Sequence, residues 1–372
     1  MTQTTQSDSD TKLWGETILE LLAGPFVGAL VSFVLAIIAA TVLITLAGFD
    51  VLEGYQSMLK GIFGSPVSMA DVLSRMTPLI FTGLSVGIAL RAGLFNVGTE
   101  GQLLLGAMAA ALVGLIDGLP GWLHISLALL AAACVGGLWG MVPAVLKARF
   151  NAHEVITTIM LNYVVILFTG YLANYPFHPP TEMMPATAYV ARSAELPRLV
   201  QGSQLTIGLF VGIGCALLLA LLLRRSVLGY EIRAVGLNPA AAEAKGISQT
   251  RIWLLTMAIA GAMGGLGGSV EVLGVHRRFI DGFSPGYGFD GIAVALMGFS
   301  NPLGTIPAAL VLGAIRVGAL AMDRTTRIPA DFVIVIQGLV LLFLSTPGLL
   351  RLILQKRRAA PAPERHLTPT TS

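Results

Sequence analysis

Long apolar runs separated by short polar connections make up most of the sequence. Most runs approach or exceed the roughly 20 residues that a helix needs to cross the hydrocarbon core of a bilayer. Because no water reaches that core to satisfy free backbone groups, such runs form helices. The pattern predicts an all-α polytopic membrane protein with about ten transmembrane helices, some of them short or broken, at residues 26–48, 72–90, 102–117, 122–146, 155–174, 205–223, 252–274, 287–299, 304–322 and 331–350.

The composition excludes two broad classes of protein. Apolar residues make up 55% of the 372 residues and charged residues 12%, which is about half the charged fraction of a soluble domain. A water-soluble fold is therefore excluded. The formal net charge is only +3, and the basic residues are spread over the connections without aromatic residues between them, so we expect no nucleic-acid partner.

Ten crossings would place both termini on the same side of the membrane. Fourteen Lys and Arg residues then fall on that side and eight, including Arg75, on the other, so the positive-inside rule makes the first side cytoplasmic. The first residues also lack the basic start and cleavage site of a signal peptide. We expect a cytoplasmic N-terminal segment at 1–25, a transmembrane domain at 26–350 and a disordered cytoplasmic tail at 351–372.

Two connections are unusual in composition. The segment 175–203 contains five prolines, which predicts an irregular loop on the outer face. The inner segment 224–251 predicts two short helices. Gly236 is suited to end the first helix, Asn238 to cap the second and Gly246 to stop it. Such a segment is either a solvated hairpin or a rigid surface on which a cytoplasmic partner docks.

The residues from Arg91 to Gln102 are rich in glycine and interrupt two apolar runs. Glycine weakens a helix by about 1 kcal/mol relative to alanine, so a break that lines a cavity is one interpretation. In a continuous helix, by contrast, Asn96 and Glu100 would share one face. A plain cytoplasmic turn with a solvated Glu100 is the third possibility.

A polar stripe lies on the span that begins near residue 155. Glu154, Thr158 and Asn162 are spaced four residues apart, which places them on one helix face. The stripe either lines a polar path or forms hydrogen bonds between helices. Two further charges lie at helices: Arg316, inside a span, must face protein or a water-filled cavity, and Asp290 lies near the start of a short or re-entrant helix.

Glycine pairs spaced four residues apart recur in the apolar runs. Two such pairs overlap in one span, Gly261 with Gly265 and Gly264 with Gly268, and Gly136 with Gly140 forms another in an earlier span. This spacing allows helices to approach closely, without indicating a function.

Several catalytic motifs are absent from the sequence. None of the five lysines follows a glycine, so the chain has no phosphate-binding loop of the ATPase type. No Gly-x-Ser-x-Gly motif and no His or Cys cluster with metal-ligand spacing occurs either. We therefore expect no enzyme, no bound metal and no cofactor, with energy supplied by a partner or by an ion gradient.

Four motifs together resemble one known family, the permease subunits of bacterial ATP-binding-cassette importers in the branched-chain amino acid, ribose and nucleoside group. The similarity is greatest to the simple-sugar and nucleoside branch. The motifs occur in the expected order over about residues 50–350, namely Gly93–Gln102, Asn151–Tyr163, Gly229–Gly246 and Gly288–Leu296 with Asn301–Gly304.

The resemblance implies a ten-span, multi-pass subunit of the bacterial cytoplasmic (inner) membrane. It implies a separate ATP-binding-cassette subunit that uses the ATP, a second permease subunit and an extracytoplasmic solute-binding protein as partners. Nucleosides are the first expected substrate and simple sugars the second. The expected substrate path contains Asn96, Glu100, Gln102, Thr158 and Asn162. The residues expected to couple to the ATPase are Glu231, Arg233, Gly236, Asn238, Pro239, Ala242, Glu243, Lys245 and Gly246.

Two other functions remain open on the residues alone. A gradient-driven secondary transporter needs ionisable groups within the membrane, for which Glu100, Glu271 and Arg316 are candidates. A membrane scaffold needs no substrate path at all. Uptake that depends on ATP and on a partner ATPase would distinguish the importer from both.

Overall fold

The computed structural model describes residues 25–180 and 182–326, together with residues 335 and 338. The predicted N-terminal segment up to residue 24, the predicted tail 351–372 and the predicted span 331–350, apart from two helical residues, lie outside the described part. The chain divides into two compact units. The described part of the first unit is essentially one helix, α1 (Pro25–Leu46), which matches the first predicted span.

The second unit comprises residues 49–333, and the regular secondary structure of its described part is helical. Two isolated bridges are its only β pairing among these residues. One π-helical segment, Glu271–His276, directly follows the helix that ends at Val270. Helices α2 to α12 are, in order, Val51–Phe63, Pro66–Arg91, Thr99–Gly114, Gly121–Phe150, Glu154–Asn174, Gly208–Arg225, Val227–Leu237, Pro239–Ala244, Gln249–Val270, Tyr287–Met297 and Pro302–Thr325.

The all-helical, membrane-spanning class is confirmed. Within the described residues, six helices are long and apolar enough to cross a membrane: α3, α5, α6, α7, α10 and α12. Helices α4 and α11 coincide with predicted spans but are shorter, at 16 and 11 residues. The described structure therefore supports a polytopic membrane protein with at least six candidate crossings, fewer than the ten that the apolar pattern predicts.

Helix α2 was not predicted from the apolar pattern, although the sequence contains a signal for it. The Asp50 carboxylate accepts the backbone N–H groups of Leu52 and Glu53 at 2.8 and 3.1 Å. An aspartate that caps the first turn in this way is a standard start for a helix. Because α2 mixes polar and apolar positions, it does not register as an apolar run.

Helix α10 packs against α3, α4 and α5 through glycines. A Cβ atom on Gly106 of α4 would overlap the backbone of Gly265, and one on Gly136 of α5 would overlap the backbone of Gly261. The backbones of three helices thus touch directly at this point. This confirms the close approach that the glycine spacing predicted.

The loop that follows α6 is irregular, as its prolines predicted. Between residues 175 and 207, its one described helical turn is Arg192–Ala194. The loop is held by main-chain hydrogen bonds to the residues after α10, such as Thr187 N–H to Phe279 C=O at 2.9 Å and Leu196 N–H to Leu273 C=O at 3.0 Å. It therefore covers the end of α10 at the opposite end of that helix from residue 249.

Candidate functional site

The glycine-rich segment between α3 and α4 is a true break in the helical structure. Helix α3 ends at Arg91 and α4 begins at Thr99. Gly93 has φ = +72°, a left-handed conformation that glycine adopts without steric cost. The predicted break is confirmed, and the alternative of one continuous helix with Asn96 and Glu100 on a common face is wrong.

Asn96 and Gln102 form a reciprocal amide pair inside the protein. Asn96 Nδ2 donates to Gln102 Oε1 at 3.0 Å, and Gln102 Nε2 donates to Asn96 Oδ1 at 3.2 Å. Asn96 also donates to Ser85 Oγ of α3 at 3.2 Å and accepts Gly98 N–H at 3.1 Å. Both amides are buried, and the network fixes the break against α3 and α4 because unpaired buried amides are costly.

Asn162 of α6 binds the same break from the other side. Its Oδ1 accepts the N–H of Gly101 and its Nδ2 donates to the carbonyl of Val97, both at 2.9 Å. At Asn162 the polar stripe therefore makes hydrogen bonds between segments. Thr158 donates instead to Glu154 C=O of its own helix at 2.7 Å. Placement of these side chains and of the Asn96 pair in a substrate path stays a prediction.

Glu100 is buried at the point where two short helices begin. The side chain lies in the first turn of α4, and its Oε2 accepts the N–H of Gly288, in the first turn of α11, at 2.6 Å. Free N–H groups and the helix dipole make both positions favourable for a negative charge. The interpretation of Glu100 as a solvated residue in a plain turn is wrong, since the residue is only 4% exposed.

A group of charged and polar side chains surrounds the start of α11. Arg316 of α12 forms an ion pair with Asp290, and its guanidinium lies 5.0 Å from the centre of the Tyr287 ring. Arg75 of α3 donates to Tyr287 Oη at 3.0 Å. We call these residues, together with Glu271, the charge cluster. Arg316 faces protein, as its position inside a span predicted.

Glu271, the first residue of the π-helical segment that follows α10, completes the charge cluster. The residue is 2% exposed, and no hydrogen bond satisfies its Oε2 among the described residues. On the same segment, Nε2 of His276 lies 3.7 Å from Glu271 Oε2. Because isolated buried carboxylates are costly, such groups occur where another charge faces them, which here is supplied by Arg75 and Arg316.

Sequence reasoning missed Arg75 and Tyr287. Arg75 was counted with the connecting residues of the outer side, but it lies inside α3, about two and a half turns from the start of that helix. The argument that placed Arg316 against protein applies equally to Arg75, because both interrupt apolar runs. No sequence signal marked Tyr287, whose contact with Arg75 joins residues 212 positions apart.

A polar cavity of about 460 Å³ lies between α2, α3, α12 and the residues just before α7. Its polar lining includes the side chains of Asp71, Ser74, Arg75, Gln204 and Arg324. Ser203 Oγ donates to Asp71 Oδ1 at 2.7 Å. Since Arg75 reaches from the cavity wall to Tyr287, the cavity ends at the charge cluster.

The segment 224–251 folds as the two short helices that the sequence predicted, α8 and α9. Asn238 Oδ1 accepts the N–H of Ala241 at 3.0 Å and caps α9, and Pro239 occupies its first position. Gly246 follows the end of α9 with φ = +82°, as expected for a helix-terminating glycine. One detail was wrong: α8 ends at Leu237 rather than at Gly236.

The residues expected to couple to the ATPase fall into two groups. Glu231, Arg233 and Gly236 are partly buried against the protein, and Arg233 donates to the carbonyl of Leu223 in α7. Ala242 is buried and anchors α9. The exposed group consists of Asn238, Pro239, Glu243, Lys245 and Gly246. This second group is available to a partner, but its role remains a prediction.

Comparisons with known proteins agree with the motifs. The family model described as "Branched-chain amino acid transport system / permease component" matches residues 68–345. The guanosine ABC transporter permease protein NupP of Bacillus subtilis is 36% identical over 88% of this chain and 95% of its own length. The nucleoside ABC transporter permease protein NupB of Lactococcus lactis is 33% identical over 90% of this chain and 94% of its own.

A glucose ABC transporter permease protein of Haloferax volcanii is 35% identical over 90% of this chain and 87% of its own length. The comparison with solved structures finds no match. The family match covers the break, both short helices of the segment 224–251 and the charge cluster. The chain is therefore a multi-pass membrane protein that belongs to the branched-chain amino acid transport system permease family, the permease subunits of ATP-binding-cassette importers.

Proposed function

We propose that this permease carries nucleosides into the cell. The main support is the similarity of the chain to two permeases, one named for guanosine and one for nucleosides. This similarity extends over about nine-tenths of the chain. Simple sugars are the second candidate, since a relative of similar identity is named for glucose. The chain itself binds no ATP or other cofactor in this proposal, and a separate subunit hydrolyses the ATP.

The exposed surface of α8, α9 and the turn after them is the proposed docking site for that ATPase subunit. Leu237 is 88% exposed, and Asn238, Pro239 and Lys245 are exposed as well. The turn is rigid, because Asn238 caps α9 and Gln249 Nε2 donates to Glu243 Oε2 at 2.8 Å. A rigid element transmits a displacement of its partner into the protein with little loss.

A second permease subunit is proposed to pack against α6. One face of α6 is buried and polar, with Thr158 and Asn162 against the break, while its opposite face is apolar and exposed. Tyr163 is 61% exposed in the middle of this helix. A phenol is poorly placed in hydrocarbon, so a protein neighbour or an aqueous path suits this face better than lipid alone.

The proposed orientation places the segment 224–251 and both termini in the cytoplasm of a bacterial cell, with ten spans in the cytoplasmic membrane. Gly236 contacts the backbone of Arg91, so the break and the segment 224–251, which we call the coupling segment, lie at the same end of the described unit. The proline-rich loop lies at the other end of α10, where an extracytoplasmic binding protein would deliver substrate.

Transport by a reconstituted complex tests the proposal. The chain is co-purified with its ATP-binding, second permease and binding-protein subunits, and ATP-dependent uptake of radiolabelled guanosine is measured in proteoliposomes. Competition by unlabelled nucleosides but not by glucose supports a nucleoside importer. Uptake of labelled glucose alone would assign the sugar class. Uptake driven by a proton or sodium gradient without ATP would contradict the proposed mechanism in favour of a secondary transporter.

A further inference from the structure

Arg91 joins the ends of two helices. It is the last residue of α3, and its side chain turns towards the end of α11. Its Nε donates to the carbonyl of Ser300 at 2.8 Å and its Nη2 to the carbonyl of Phe299 at 3.2 Å. A cation is favourable at a helix C-terminus, and here the guanidinium makes two charge-assisted hydrogen bonds to the residues that follow α11.

The two carbonyls belong to residues with unusual backbones. Phe299 and Ser300 have φ values of +53° and +51°. For residues other than glycine, this left-handed conformation costs about 1–2 kcal/mol each. Such conformations persist where the surroundings hold them in place, and the guanidinium of Arg91 is the charged group that holds this pair.

The opposite end of α11 is held by the same stretch of chain. Glu100 accepts the N–H of Gly288 in the first turn of α11. The segment 91–100 therefore supplies a base to the C-terminal end of α11 and an acid to its N-terminal end. Each charge has the sign that the helix dipole favours at its position.

The Arg91 end of this arrangement is in contact with the coupling segment. A Cβ atom on Gly236 of α8 would overlap the carbonyl of Arg91, and Gly93 lies against the backbone of Gly236. The two backbones touch without intervening side chains. Since close-packed groups shift together and do not compress, a displacement of α8 reaches Arg91 directly.

We propose that Arg91 and Glu100 clamp α11 to the coupling segment, so that α11 moves when α8 moves and Arg91 acts as a positioning residue for transport. The moving helix carries Tyr287 and Asp290 in its first turn, and the motion reaches the charge cluster through them. This inference rests on the proposed docking of the ATPase to the segment 224–251.

The test compares Arg91→Ala and Arg91→Lys with Arg149→Ala in the reconstituted complex. Arg149 is an exposed arginine in the last turn of α5 and is a matched control for loss of charge at a helix end. We expect Arg91→Ala to lower guanosine uptake per ATP hydrolysed about tenfold while ATP hydrolysis continues. Arg91→Lys should lower it by about threefold, because lysine cannot donate to both carbonyls in the fixed fork geometry.

A wild-type ratio of uptake to hydrolysis in Arg91→Lys or Arg91→Ala would overturn the clamp. If Arg91→Ala does not accumulate in the membrane, the ratio of uptake to hydrolysis in Arg91→Lys alone tests the clamp. Hydrogen exchange of the purified chain distinguishes failure of the clamp from failure of the proposed function. Amides at residues 298–301 should exchange faster in Arg91→Ala or Arg91→Lys than in Arg149→Ala even if no ATP-dependent uptake is found. Unchanged exchange there would contradict the clamp independently of transport.

Discussion

The carboxylate of Glu100 accepts the backbone N–H of Gly288 at 2.6 Å, joining the first turns of two short helices that are 188 residues apart in the chain. A helix that begins inside a protein leaves its first N–H groups without partners. Glu100 satisfies one of these groups and places a negative charge where two helix dipoles converge. The contact explains how α4 and α11 begin side by side with Glu100 and Gly288 both buried.

We predict that Glu100→Ala destabilises the protein by about 1–3 kcal/mol, because the buried N–H of Gly288 loses its acceptor. Glu100→Gln keeps an acceptor oxygen, so its loss of stability should be smaller. Thermal unfolding of the purified protein in detergent measures both. The control is Glu53→Ala, which removes an exposed acid from the first turn of α2. Equal losses for the two alanine variants would contradict the assigned role.

Asn162 offers a second test of the break. Asn162→Ala leaves the N–H of Gly101 and the carbonyl of Val97 unpaired, and we expect a loss of about 2–5 kcal/mol for two buried groups. Thr169→Ala, on the same buried face of α6, breaks a bond only within its own helix and should cost less. The unfolding temperatures of the two variants are compared. A larger loss for Thr169→Ala than for Asn162→Ala would show that Asn162 does not hold the break.

The predicted substrate path has a separate test in uptake measurements. Thr158→Val keeps the shape of the side chain but removes a hydroxyl that bonds only within α6, so the fold should tolerate it. If Thr158 contacts substrate, the variant changes the rate of guanosine uptake several-fold, whereas Thr169→Val does not. Identical kinetics in both variants would remove Thr158 from the path.

The glycine contact between α5 and α10 predicts opposite effects for two glycine-to-alanine changes. A Cβ atom at Gly265 would overlap the carbonyl of Ala132, while one at Gly214 in α7 meets no atom within 4 Å. Gly265→Ala should destabilise the protein by about 1–3 kcal/mol through overpacking. Gly214→Ala should stabilise it by up to about 1 kcal/mol, because alanine is the better helix former. Thermal unfolding measures both, and stabilisation by Gly265→Ala would exclude direct backbone contact.

Helix α9 allows a test of coupling with a proline pair. Ala242→Pro removes the N–H that donates to Asn238 C=O at 3.0 Å and should disrupt the helix. We expect ATP hydrolysis to continue while guanosine uptake falls about tenfold. Ala240→Pro lies in the first turn, where proline is tolerated, so α9 should stay folded and the variant should keep more uptake than Ala242→Pro. Normal uptake by Ala242→Pro would refute the coupling role of α9.

Local signals in the sequence were sufficient for the segment 224–251. Asn238, Pro239 and Gly246 are a cap, a first-turn residue and a terminator, and each acts through its own neighbours in the chain. Their structural roles could therefore be predicted before any contact between helices was known. The same holds for the break after Arg91, where glycines weaken the helix locally.

The polar residues of the break could not be assigned in the same way. Glu154, Thr158 and Asn162 share one face by spacing, but only the packing of α6 against residues 97–101 shows that Asn162 bonds to the break and Thr158 to its own helix. The place of Arg75 in the charge cluster was also not apparent, because its partner Tyr287 follows 212 residues later.

The sequence by itself determined the membrane-spanning helical class, the break, the two short helices of the segment 224–251 and the family, because hydrophobic length, helix capping and motif order are properties of neighbouring residues. Only the tertiary structure decided which buried charges meet. Arg91 and Glu100 lie at opposite ends of one short stretch. They bind opposite ends of α11 because folding brings residues 288–300 between them. Pairings over such separations depend on how helices pack, which no local pattern specifies.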